Sequence, residues 1–381
     1  MPMLLPGPIK KLRDWYVRRR ALKEIAGERW IERERAQQSA ASELKAAERA
    51  LARGEREEAL RICEHVQQTQ PETLGAYLIQ VRTLREMQRS SEADAVIEAI
   101  RPRFRDAFEP AVLWAECAQR RGDLVVAIKR WQRVRKEFPT EVGAFSLSVR
   151  CLADAGLLDQ ADALLRKAMR RFPEHKSLAG MWAEVAQRRG DWPEALRRWQ
   201  RVAEELPDSV PALLGIEKSL CELQRADEAE AFLAGKLEQF RGGPEPWVRH
   251  AGFAQHRHDW PEAERRWSRI HLIFPRNIAA YVGLAVALRE QQRFDEAQVL
   301  LEEAMEKAND DSRPWIEHAA LAQQRRDWAE AARRWEVVRT RFPDQPVGFH
   351  RGAAALAALG RHAEAEALKS EASRRFPAKS G

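Results

Sequence analysis

The sequence is short of the residues that staple small folds or carry most chemistry. Cysteine occurs four times in 381 residues, at Cys63, Cys117, Cys151 and Cys221, widely spaced and without a Cys-x-x-Cys pair. That spacing excludes a disulfide framework and implies structural thiols in a reducing compartment. No apolar run approaches the roughly 18 residues of a spanning helix. The opening Met1-Pro2-Met3-Leu4-Leu5-Pro6 is short, broken by proline and placed before its basic cluster, unlike a secretory signal. A soluble, cytoplasmic chain is therefore expected. Phosphate-binding loops, nucleophile elbows and His-Glu-x-x-His pairs are all missing. His250, His256 and His258 lie close together but lack a convergent second ligand pair. The reading is of no catalytic constellation, no metal and no cofactor.

What is abundant is helix-forming: hydrophobic residues make up 44% and charged residues 32%, with much Ala, Leu, Glu and Arg. The formal charge of +7 is unevenly placed. Lys10, Lys11, Arg13, Arg18, Arg19, Arg20 and Lys23 stand against Asp14 alone before residue 24, which leaves the remaining chain near neutrality. Any electrostatic function belongs to this arm, and nucleic acid is a poor fit for the rest.

A 68-residue register runs through most of the chain. Trp131, Trp199, Trp267 and Trp335 share one column with Cys63 at its head; Pro71, Pro139, Pro207, Pro275 and Pro343 share a second; Ala59, Ala127, Ala195, Ala263 and Ala331 a third. Each period divides into two units of 34. Tyr77, Phe145, Leu213, Tyr281 and Phe349 open the first helix of one unit in each pair, and Leu84, Leu152, Leu220, Leu288 and Leu356 follow seven residues on. Spacing of 0, +3, +4 and +7 puts one apolar stripe on one helical face. Such a helix pair cannot cover its own stripe and must share a core with its neighbours.

The run Trp247…Ala251…Ala254…Ala263-Glu-Arg-Arg-Trp267…Pro275 resembles the tetratricopeptide repeat family in a Trp-rich bacterial form. The likeness covers residues 38–377, with departures at Ala111 and Ala179, which stand where Trp247 and Trp315 open their helices, and at Arg241 and Asn309 for the closing proline. It implies an all-α superhelical solenoid of about ten helix pairs in five double repeats. A basic amphipathic arm (1–37) with an extra helix precedes it, and a short tail (378–381) follows. Gly190 is expected to end one helix, Asp191 to cap the next, and Thr140, Asp208 and Asp344 to cap others.

Fixed columns mark the tryptophans as core: Trp199, Trp267 and Trp335, with Trp192, Trp260 and Trp328 at the preceding turn, pack into the helix seam. His250 and His318 share a column with Trp114 and Trp182 and are expected in the core; His258 takes the helix-ending slot of Gly122 and Gly190. The recurrent Gln-Arg-Arg-Gly-Asp at 119–123 and 187–191 reads as a helix end whose cations favour the dipole.

The resemblance further implies a non-catalytic scaffold that holds a peptide or helix of a partner in a concave groove lined by the first helix of each unit. Positions +1, +5, +8 and +9 then supply Arg82, Arg85, Glu116, Gln119, Arg120, Arg150, Glu184, Gln187, Arg188, Lys218, Gln255, His256, Arg289 and Gln323. The groove so drawn is polar and mixed in sign, suited to an acidic or amphipathic segment. The arm adds Trp15 and Tyr16 to its cations and admits three roles: a cap on the first repeat, a tether to an anionic membrane surface, or a nucleic-acid contact. Envelope or polysaccharide assembly at the inner membrane, a regulatory subunit of an enzyme such as a glycosyltransferase, and self-association remain open alternatives.

Overall fold

The computed structural model describes residue 34, residues 37–240 and residues 242–377. The basic arm from Lys10 to Lys23, including Trp15, lies outside the described residues. Every regular element among the described residues is an α-helix. Helix α1 covers residues 37–52, then α2 (Arg56–Thr69), α3 (Leu74–Glu86), α4 (Ser90–Ile100), α5 (Phe108–Arg120), α6 (Leu124–Glu137), α7 (Val142–Asp154) and α8 (Leu158–Arg171). These belong to a first compact unit, Met1–His175. The second, Lys176–Gly381, holds α9 (Ser177–Arg189), α10 (Trp192–Glu205), α11 (Val210–Glu222), α12 (Ala226–Leu237), α13 (Glu245–His256) and α14 (Trp260–Ile273). It continues through α15 (Ile278–Glu290), α16 (Phe294–Lys307), α17 (Ser312–Gln324), α18 (Trp328–Arg341), α19 (Pro346–Ala358) and α20 (His362–Arg375).

The 34-residue period is written into the backbone. Each odd-numbered helix is followed by one residue in the left-handed conformation, at 54, 88, 122, 156, 190, 224, 258, 292, 326 and 360. The next residue's N–H returns to the carbonyl five residues back, as in Glu55 to Ala50, Asp191 to Ala186 and Arg361 to Leu356. This closure satisfies a carbonyl that the helix end leaves open and reverses the chain into the even-numbered helix. Glycine fills the slot at Gly54, Gly122, Gly156, Gly190 and Gly360; Gln88, Gln224, His258, Gln292 and Arg326 occupy it in spite of their Cβ.

Caps alternate with the 68-residue period. Asp123, Asp191, Asp259 and Asp327 each accept from the backbone N–H three residues on, at 3.0–3.2 Å. In the alternate units Arg89, Arg225, Arg293 and Arg361 take the cap position and pair with the glutamate three residues later. Thr140, Asp208 and Asp344 do not cap: α7, α11 and α19 start one residue later than the sequence suggests, from Glu141, Ser209 and Gln345. Of those three, only Ser209 bonds with its side chain, accepting from Ala212 N–H at 3.3 Å.

Within each unit the core lies between the odd-numbered and even-numbered helices. The alanine columns at 59, 127, 195, 263 and 331 and at 93, 161, 229, 297 and 365 are buried, which lets paired helices approach closely. Trp131, Trp199, Trp267 and Trp335 fill the seam at 1–5% exposure. A Cβ at Gly215 would overlap the Trp199 indole, and one at Gly283 that of Trp267. Those two glycines in α11 and α15 therefore let a ring from the preceding helix lie directly on backbone.

Candidate functional site

The odd-numbered helices turn their +1, +2 and +5 positions to an open face. In the first unit that face holds a cavity of about 1010 Å³ lined from α1, α3, α5 and α7. Its floor is apolar, from Leu44, Leu78, Ile79, Phe108, Val112, Leu113 and Leu147, and its rim is charged, from Lys45, Glu48, Arg82, Arg85, Glu86, Glu109 and Glu116. The spacing had given a polar groove here. Leucine, valine and isoleucine at +1 and +2 make it apolar instead, a signal legible as Leu44, Leu78 and Val112 in one column and Ile79, Leu113 and Leu147 in the next.

A second cavity of about 280 Å³ collects Glu116, Gln119, Arg120 and Arg150 beside Trp131 and Leu147. Arg120 and Arg150 are exposed. Arg120 lies 3.5 Å from Glu116, and Gln119 donates to Asp154 at 3.1 Å. Arg85 is held differently. It is half-buried with Nη2 3.8 Å from the Cys117 sulfur, and burial, then nearby Arg120, lowers its pKa. The first unit thus gathers Arg82, Arg85, Glu116, Gln119, Arg120 and Arg150 around two adjoining hollows that share Glu116 and Leu147.

The residues expected to line the face in the second unit are more dispersed. Glu184, Arg188 and Lys218 are exposed, and the Lys218 ammonium sits 5.7 Å from the Trp192 ring. Arg289 is held between Glu290 and Glu317. Gln255 and His256 line a cavity of about 640 Å³ with Val248, Phe253, Trp260 and the pair Glu217 and Arg249. Glu217 is only 4% exposed and lies 3.2 Å from Arg249. Sequence reasoning missed it, although it is a carboxylate in the +4 column that Val81, Ala115, Val149, Ala183, Ala251, Ala285, Ala319 and Ala353 otherwise keep small and apolar.

The +8 glutamines have a structural duty as well. Trp131, Trp267 and Trp335 donate their indole N–H to Gln119, Gln255 and Gln323 at 3.4, 3.2 and 3.2 Å. Trp199 finds no such acceptor, because Gln187 instead donates to the Gly215 carbonyl at 3.4 Å. The Gln-Arg-Arg-Gly-Asp run is accordingly a junction: glutamine holds a ring, glycine reverses the chain, and aspartate caps the next helix. Its second arginine reaches across to another unit, as Arg121 does to Asp94 at 3.2 Å.

The column of Trp114, Trp182, His250 and His318 is half-buried and not in the core as its spacing suggested. Arg130, Arg198, Arg266 and Arg334 lie over it and donate to the main-chain oxygens of those four residues at 2.7–2.9 Å. The guanidinium of Arg198 is 3.8 Å from the Trp182 ring and that of Arg130 is 4.4 Å from Trp114. Burial first, then the overlying arginine, pushes His250 and His318 down to about 4, so both are neutral at pH 7. Burial likewise pushes the Cys63 and Cys117 thiols up to about 11. Among the described residues no cluster of three or more His, Cys, Asp or Glu is arranged to hold a metal, and no helix is long and apolar enough to cross a membrane.

The ten chain reversals at 34-residue intervals and the sequence of residues 254–323, which matches the tetratricopeptide repeat family model, agree on one unit. Residues 254–323 carry tetratricopeptide repeat sequence. Two solved structures are similar to this chain. A tetratricopeptide repeat protein from Parabacteroides merdae shares 16% identity over 65% of this chain and 98% of its own, at a TM-score of 0.44. Yeast Tom70 shares 12% over 89% of this chain and 85% of its own, at 0.43. No curated protein matches the sequence. The regular elements among the described residues are all α-helices, as that match implies.

Proposed function

We propose that the chain is a non-catalytic adaptor that holds an amphipathic segment of a protein partner on the face of its odd-numbered helices, seated chiefly in the first unit. The observation that carries this reading is the 1010 Å³ hollow with apolar floor and charged rim. An open apolar surface of this kind on a soluble scaffold marks a place where another surface is covered. An apolar stripe of the partner fills the space over Leu78, Val112 and Leu147, while carboxylates beside that stripe meet Arg120 and Arg150. A helix laid in a groove through such anchors is a common recognition mode.

Affinity capture from cells that make the protein tests this. Wild-type chain, Leu78→Asp and the pair Arg120→Glu/Arg150→Glu are compared at matched helicity and urea midpoint. A partner retained by the wild type and depleted at least tenfold by both variants supports the reading; equal recovery by all three contradicts it.

A further inference from the structure

The second unit carries a cavity lined by a buried charge that the repeat itself does not need. It measures about 640 Å³ and is lined from α11, α13 and α14. Its carboxylate, Glu217, is 4% exposed, in a column that is otherwise buried Ala or Val from Ala47 to Ala353. Packing is met by alanine at the sibling positions, and a buried carboxylate costs free energy unless it is paired and hydrogen-bonded. Its compensation within the chain is partial. Arg249 donates to Oε2 from Nε at 3.3 Å and lies 3.2 Å away at Nη2, but its side chain is 54% exposed, so water screens the pair. The other oxygen, Oε1, meets the Cys221 thiol at 3.7 Å, a weak donor. A carboxylate offers about four acceptor positions, so Oε1 has capacity for a charged donor.

Space for that donor is left by Gly252, which also lines the cavity. A Cβ at Gly252 would meet nothing within 4 Å, whereas the same +5 position carries Arg82, Glu116, Arg150, Glu184 and Lys218 in the preceding repeats. Val248 and the half-buried rings of Phe253 and Trp260 complete the apolar lining. Such a lining covers the methylenes of a long side chain and offers ring faces to a guanidinium. We infer that this cavity receives an arginine side chain of a protein partner, its guanidinium bonded to Glu217 Oε1 and its stem against Val248 and Phe253. An acidic group held by Arg249 would instead lie beside the buried Glu217 carboxylate, and like charges at close range repel. The site lies wholly in the second unit, so it goes beyond the reading of the first-unit hollow and does not depend on it.

Titration of the full-length protein with three blocked tripeptides, Ala-Arg-Ala, Ala-citrulline-Ala and Ala-Glu-Ala, tests the site, with tryptophan indole N–H resonances as the readout. The Trp260 resonance, assigned from Trp260→Phe, is expected to shift saturably with the arginine peptide. The citrulline peptide, of the same shape without the charge, should bind at least tenfold more weakly, and the glutamate peptide should not saturate. Glu217→Gln should weaken the arginine peptide at least tenfold with helicity retained. Gly252→Met, whose Cβ enters open space, should do the same by filling the cavity. Arg249→Ala should tighten the arginine peptide at least threefold, because it removes the resident guanidinium. No shift with the arginine peptide, equal affinity for arginine and citrulline, or binding indifferent to Glu217→Gln or Gly252→Met would each overturn the inference. So would saturable binding of the glutamate peptide that is lost in Arg249→Ala, which would make the cavity an anion site.

Discussion

The indole nitrogen of Trp267 donates to Gln255 Oε1 at 3.2 Å, so a residue on the open face is also the acceptor for a ring buried in the helix seam. Gln255→Leu leaves that N–H unsatisfied and should destabilise the second unit by about 1–3 kcal/mol. Gln323→Leu should do the same through Trp335. Gln187→Leu should cost less, because Trp199 lacks this bond already. Urea midpoints of the three variants decide it, and equal losses would show that the bond carries no weight. Trp267→Ala should lose about 3–5 kcal/mol.

Close approach of ring to backbone gives a second expectation. Gly283→Ala puts a methyl into the Trp267 indole and should destabilise by about 1–3 kcal/mol through overpacking. Gln292→Gly acts in the opposite direction. It relieves a left-handed residue at φ 63° and should stabilise by about 0.5–1 kcal/mol once the looser unfolded chain is counted. Thermal melts of both variants in one buffer provide the comparison.

The architecture was legible because repetition amplified it. One Gly-Asp junction says little, but Gly122-Asp123 and Gly190-Asp191 in register say where helices end, and the tryptophan column says what they bury. Cap positions were missed by one residue, since Asp208 and Ser209 are both good caps and only the backbone angles separate them. The half-buried position of His250 was also hidden, because its column is covered by Arg266 on the next helix and not defined by its own spacing. On the open face, charge drew attention to Arg120 and Arg150, whereas the apolar floor required reading the +1 and +2 columns together.

Glu217, buried, pairs with the exposed Arg249, an ion pair that the sibling repeats do without. Arg249→Ala removes the partner of a carboxylate that is 4% exposed and, with solvent screening the exposed guanidinium, should cost about 1–3 kcal/mol. Glu217→Ala/Arg249→Ala should recover most of that loss, because alanine is the residue most other repeats carry at the +4 position. A double-mutant cycle in urea measures the coupling, and a double variant as unstable as Arg249→Ala would refute this account of the pair.

Acid should weaken the second unit before its carboxylates titrate. His250 and His318 have folded pKa values of about 4, below the unfolded value near 6.5. The unfolded chain therefore takes up protons first, and stability should decline as pH falls from about 6.5 toward 4. Hydrogen bonding from Arg257 and, with it, Arg266 holds Glu230 down at about 2, so a further loss begins as pH falls through the ordinary carboxylate value near 4.5 and is complete near 2. Urea midpoints at pH 7.5 and 4.5 should differ, and His250→Gln/His318→Gln should narrow that difference. An unchanged difference would assign the acid sensitivity elsewhere.

The working face itself is tested most directly by site-specific photo-cross-linking in living cells. With p-benzoylphenylalanine at Val112, on the floor of the first-unit cavity, a discrete heterologous protein adduct is expected; the same residue at Lys167, exposed on the even-numbered helix α8, should give none. An adduct from position 167 and none from position 112 would place partner binding on the opposite side of the helix pairs and contradict the account.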